Sequence, residues 1–203
     1  MEKKKTIRKP DWLNIIGILL ILTGLTIGGI DLFTKYTDRR DQAQELQDFM
    51  KAPQLTDTSE MPEEDANKNV WGAITIDKLG VNHLIAKTND WSYLNRYVVA
   101  YESSPNPPEN GNFAIAGHNG NCASCVFRDF DKLETGDIVK LDDKVNTYVY
   151  KIEKIFTVFH TDVSVLDHTP NEATLTLITC TRQSTEDEYR TIVKATLVET
   201  IPN

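Results

Sequence analysis

Cysteine is scarce in this chain, three in 203 residues. That number is too small, and odd, for a disulfide scaffold. Histidine is nearly as rare at four, so an imidazole acid or base must come from a short roster. Basic residues are outnumbered 22 to 30, for a net charge of −8. An acidic balance argues against nucleic acid as the main partner. No internal repeat is visible, and after residue 70 no long helical period competes with short alternating runs. What remains, 40% apolar and 26% charged residues, fits a folded protein of one or two domains.

Charge is unevenly laid out. Residues 1–37 carry six Lys/Arg against three Asp/Glu, whereas residues 38–69 carry four against nine. Between Asp11 and Asp31 lie 19 uncharged residues, Trp12 to Ile30, mostly Ile, Leu and Gly. As a helix at ~1.5 Å per residue they cover about 28 Å, close to the ~30 Å hydrocarbon core. Lys3, Lys4, Lys5, Arg8 and Lys9 precede the run and place that end on the cytoplasmic side. A cleaved signal peptide competes with this reading, but the run is long for one and Gly28-Gly29-Ile30-Asp31 offers no A-x-A site. The sequence thus divides into a basic cytoplasmic tail (1–11), a transmembrane signal anchor (12–30), an extracellular stalk (31–69) and a body (70–203). Gly24 and Gly28 form a GxxxG, a candidate face for a homodimer through the membrane helix, although glycine is common in such helices. In the stalk, Leu46, Phe49 and Met50 suit a short amphipathic helix. The polar, proline-punctuated stretch after it cannot bury a core.

The body reads as strands. Residues 72–76, 112–116, 137–141, 147–159, 174–178 and 191–198 are short, mostly of period two, and separated by turn signals. The expected fold is all-β with short helices, a closed or nearly closed β-barrel. Phe127 to Leu133 suits one or two helical turns.

Chemistry centres on Cys180. Alternation puts Leu175, Leu177 and Thr179 on one face and Thr174, Thr176, Ile178 and Cys180 on the other. With the leucines in the core, the thiol faces outward at a strand end, beside a polar loop (181–188). The competing reading is a small buried hydrophobe, the usual fate of a free cysteine. His118 follows the strand-like NFAIAG. Ala114 and Ala116 share its face and leave room for a bound peptide, while Phe113 and Ile115 point to the core. A plain loop histidine is the alternative. His83, His160 and His168 have weaker cases. Arg190 lies on the outer face of the last strand with Ile192 and Lys194. Its guanidinium could donate a fork of N–H groups to a carbonyl or oxyanion, or simply be solvated.

Taken together, these pieces resemble the sortases, membrane-anchored cysteine transpeptidases of Gram-positive bacteria. The segments that carry the resemblance run in order: WGAITIDKLGVNHLI, GNFAIAGHN, FRDFDKLETGDIVKL, VSVLDHTPNEATLTLITC and YRTIVKATL. The TLxTC element ending at Cys180, joined to GHN upstream and a strand-borne arginine downstream, is specific. The resemblance implies an eight-stranded sortase barrel preceded by one transmembrane helix. It implies Cys180 as nucleophile, His118 as acid/base, Arg190 as substrate and oxyanion stabiliser, and an LPxTG-like sorting signal on surface proteins as substrate. The second amine would come from a cell-wall precursor. Val163, Val165, Leu166 and Thr179, with Ala114 and Ala116, are the expected groove residues.

No cofactor is expected. Glu102, Glu109 and Asp162 invite comparison with the calcium site of some class A sortases, but their spacing is not that of an oxygen cage. Cys122-Ala-Ser-Cys125 departs from the family pattern; structural cysteines (free or disulfide-linked), a redox pair and half a zinc site all stay open. The chain's end at Asn203 and the lack of a lid favour a class A-like, wall-attaching enzyme. A pilus-associated sortase, a hydrolytic cysteine protease and a non-catalytic binding domain are the alternatives.

Overall fold

The computed structural model describes residues 12–51, 69–120, 122, 124–181 and 188–203. The basic tail, residues 52–68 of the stalk and most of the polar loop after Thr181 lie outside these. The described chain divides into two compact units, at Arg40 and Asp41.

The first unit is helical, part of α1 (Trp12–Lys51). Among the described residues α1 is one helix long and apolar enough to cross a membrane. Thr23 and Thr26 donate their hydroxyls to the carbonyls of Leu19 and Leu22. Both polar groups are thereby satisfied within the helix, as a hydrocarbon environment demands. The sequence suggested a short, separate stalk helix. Instead the helix runs without a break through residue 51, since nothing between Ile30 and Lys51 is a proline or glycine to stop it.

The second unit is a closed barrel of eight strands: β1 (Val70–Ile76), β2 (Val81–Lys87), β3 (Val98–Ala100), β4 (Gly111–Ala116), β5 (Ile138–Asp142), β6 (Asn146–Phe159), β7 (Ala173–Cys180) and β8 (Tyr189–Pro202). Around the barrel the order is β1-β2-β3-β4-β7-β8-β6-β5. Only the β2–β3 and β4–β7 pairs are parallel. Alternation directs Phe113, Ile115, Leu175, Leu177 and Val193 inward, each at 2% exposure or less. They join Ile74, Ile85, Leu141 and Tyr150 in one core. The expected helix near residue 130 is a single 3-10 turn, Phe130–Lys132.

The end of α1 packs on the outside of β1 and β2. Phe49 is 3% exposed against Val70, Ala73, Leu84, Ala86 and Tyr97. Glu45 accepts from Arg96 Nε at 2.9 Å and from the Tyr97 hydroxyl at 2.7 Å. Burial, reinforced by this carboxylate, pushes the Tyr97 phenol up to about 12. Of the three apolar residues expected to face inward, Phe49 and Leu46 do so, whereas Met50 is exposed.

Candidate active site

Three adjacent strands carry the site. β4 and β7 run parallel, pairing Asn112 with Thr174, Ala114 with Thr176 and Ala116 with Ile178. β7 and β8 run antiparallel, pairing Thr176 with Lys194, Ile178 with Ile192 and Cys180 with Arg190. The outer face is thus a ladder. Its successive rungs are Ala114–Thr176–Lys194 and Ala116–Ile178–Ile192, then Cys180–Arg190 at the top. His118 lies two residues beyond Ala116, as Cys180 lies two beyond Ile178, so both leave the ladder at the same end.

The His118 loop is tied to the Cys180 strand on both sides. Gly117 N–H donates to the Ile178 carbonyl at 3.0 Å, and Asn119 Nδ2 donates to the Cys180 carbonyl at 2.7 Å. The imidazole-bearing residue sits between these two ties. Gly117 is required there: a Cβ would lie 2.5 Å from the Phe127 ring. Phe127 in turn donates its N–H to the His118 carbonyl at 3.3 Å. Cys180 is a free, partly exposed thiol. Arg190 is also partly exposed, and its guanidinium donates to its neighbour's carbonyl, Tyr189 O, at 3.1 Å. The positive charge opposes the upward push that burial gives the Tyr101 phenol. Tyr101 therefore stands within reach of Arg190's field, a neighbour not apparent from the sequence.

The expected groove residues divide. Ala114 and Leu166 line a cavity of about 110 Å³ together with Tyr101, Ser104, Asn112 and His168. Ala116 is partly exposed on the rung above, and Val163 is exposed. Val165 faces the barrel, packed with Ile178 and Ile192. Thr179 does not line the groove. It is 2% exposed, and its hydroxyl donates to the Gly117 carbonyl at 2.8 Å, so it supports the His118 loop from the core face. The turn Val163–Leu166 is capped by Asp162, which accepts from Ser164 N–H at 3.1 Å.

The carboxylates considered for calcium do not converge. Asp162 serves that cap, and Glu102 accepts from Asn89 Nδ2. Glu102 and Glu109 both lie in the field of Lys87, whose ammonium donates to Ser104 O at 2.7 Å and Asn106 Oδ1 at 2.5 Å. Among the described residues no group of three His, Cys, Asp or Glu is placed to hold a metal. Cys122 and Cys125 are joined as a disulfide with Cα atoms 5.0 Å apart, in the loop that follows His118. Their sulfurs are therefore not zinc ligands. Of the other histidines, His83 is buried under the end of α1, with Nδ1 3.2 Å from the Leu84 carbonyl, and burial pushes its pKa down.

The closed barrel thus carries a free thiol and an arginine paired at the end of two strands, with a histidine-bearing loop tied beside them. The sortase domain family model matches residues 74–198, well over half of the chain, and the chain belongs to this family of membrane-anchored cysteine transpeptidases. It is 28% identical over 202 residues to sortase A of Listeria monocytogenes, covering 92% of this chain and 88% of that protein. It is also 28% identical over 179 residues to sortase D of Bacillus subtilis, covering 82% and 88%. Among solved structures, the sortase D5 transpeptidase of Clostridium perfringens superimposes with a TM-score of 0.62 at 31% identity, covering 78% of this chain and 98% of that one.

Proposed function

We propose that the protein cleaves an LPxTG-like sorting signal between Thr and Gly and transfers the surface protein to an amine of a cell-wall precursor. The Cys180 thiolate attacks the Thr carbonyl carbon and forms a tetrahedral oxyanion. The C–N bond to Gly breaks as His118, in its imidazolium form, protonates the departing amine, leaving a Thr thioester on Cys180. The second amine attacks the thioester, neutral His118 takes its proton, and the thiolate departs. Arg190 donates N–H groups to the oxyanion or to the peptide backbone. The tail (1–11) is cytoplasmic, residues 12–30 anchor the chain, residues 31–69 form the stalk, and the domain 70–203 works outside the cell. The basic residues before the apolar run support this orientation.

The observation that carries the reading is the Cys180–Arg190 pair across β7 and β8, with the His118 loop bonded to the same strand end. The small side chains of Ala114 and Ala116 support a peptide path along the outer face toward Cys180. The test is to incubate the full chain, in detergent micelles, with an LPxTG peptide and triglycine. Ligated peptide supports transpeptidation, free acid alone means a protease, and no acyl-enzyme means a binding domain. A panel pairing triglycine with a lysine-bearing pilin peptide distinguishes wall attachment from pilin joining.

A further inference from the structure

The loop from His160 to Glu172 crosses the outer face of β7 and β8, and its fastening is unusual for a strand surface. Lys194 projects from the middle of that face, in register with Thr176, and its ammonium donates to the Val165 carbonyl at 2.6 Å. The same carbonyl accepts from Asn112 Nδ2 at 2.9 Å. Asn112 reaches the Asp167 carbonyl at 3.4 Å, and its own Oδ1 accepts from the Thr176 hydroxyl at 2.5 Å. One carbonyl thus uses both lone pairs on donors rooted in β4 and β8. Its side chain is anchored as well, 8% exposed against Ile178 and Ile192.

We propose that Lys194 is a positioning residue for the peptide groove: its bond to the Val165 carbonyl fixes the Val163–Leu166 turn as a preformed wall. This deepens the proposed transpeptidase reading and rests on it. A 3-10 turn of four residues has little stability of its own and would otherwise sample open forms. A charged donor in a half-buried setting holds a carbonyl more firmly than a neutral one. Burial lowers the Lys194 pKa and Asp167 opposes this, as expected of an ammonium enclosed by the loop. Leu166, on the same turn, lines the cavity beside Ala114, so moving the turn reshapes the groove. Lys194 lies four residues along β8 from Arg190, roughly 13 Å at ~3.3 Å per residue. The chemical step is therefore spared, and the effect falls on substrate binding.

The test compares full-length wild type, Lys194→Met and Lys194→Arg in detergent micelles, with two readouts: hydrogen exchange of the amides in 163–167, and KM and kcat for an LPxTG peptide with triglycine. Loss of one charge-assisted bond in Lys194→Met should speed exchange across 163–167 about tenfold, raise KM about five- to tenfold and leave kcat within about twofold. Exchange in β7 and β8 stays as in wild type. Lys194→Arg, which keeps a charged donor, should recover most of both effects. If Lys194→Met does not fold, Lys194→Gln, with a neutral donor on a shorter stem, gives the same comparison. Unchanged exchange in the variant overturns the proposal. So does a raised KM without faster exchange, which would make Lys194 a direct peptide contact, or faster exchange with KM unmoved. Absence of turnover in wild type sinks the transpeptidase reading instead, and the exchange data still decide whether Lys194 holds the turn.

Discussion

Cys180 and Arg190 are register partners across the β7–β8 ladder, and both side chains leave the barrel on its outer face. The register puts the two residues opposite each other at the end of the ladder, where the proposed reaction needs both. If Arg190 holds the oxyanion, Arg190→Ala should lower kcat about 10²- to 10³-fold with little loss of stability. Arg190→Lys should recover only a small part, because an ammonium lacks the planar fork. Steady-state kinetics with a sorting-signal peptide, beside urea unfolding of the same variants, checks this.

Gly117 is pressed against the Phe127 ring, so even one methyl must displace the loop that carries His118. Gly117→Ala should reduce transpeptidation at least about tenfold, because a misplacement of ~1 Å in a catalytic group is enough for a large loss. Kinetics of the variant, with circular dichroism to show an intact barrel, tests it.

The buried imidazole of His83 makes the domain acid-sensitive. Its folded pKa is depressed by burial, so the native state holds it neutral while the unfolded chain binds a proton below about 6.5. This group therefore leaves stability unaffected above about pH 6.5 and subtracts from it as pH falls further, by up to ~1.4 kcal/mol per pH unit until the folded pKa is reached. His83→Gln should lose less Tm than wild type between pH 6.5 and 5. Equal losses in the two proteins would contradict the assignment.

Phe49 ties the end of α1 to the barrel. Phe49→Ala should cost about 2–4 kcal/mol, whereas Met50→Ala, an exposed neighbour, should cost under ~0.5. Chemical denaturation of the full chain in micelles separates the two.

The Cys122–Cys125 bridge closes a very short loop, so by chain entropy it contributes about 2 kcal/mol at most. Replacing both cysteines with Ser should leave transpeptidation measurable and lower Tm modestly. Complete loss of activity in a folded double variant would give the bridge a part in the reaction.

How far the sequence revealed this arrangement depended on what covers each strand. β4, β7 and β8 have one core face and one outer face, so their alternation was legible and brought Cys180, His118 and Arg190 forward. β2 did not announce itself, because Leu84 and Ala86 are buried on its outer side by the end of α1 while Ile85 faces the core. Thr179, expected in the groove, shares the parity of Leu175 and Leu177 and so lies with them on the core face. For Lys194 the alternation gives only a place on the outer face, since its acceptor lies 29 residues earlier in the chain and only the crossing of the loop brings it near. For Cys122 and Cys125 the spacing allows several chemistries, and the structure joins the two as a disulfide.

The Cys180 thioester is tested most directly by intact-mass analysis of the full chain after brief exposure to an LPxTG peptide without added amine. The expected product is an adduct equal in mass to the peptide up to its Thr, released by hydroxylamine and missing in Cys180→Ala. Ligation that persists in Cys180→Ala, or an adduct mapped to another residue, would contradict it.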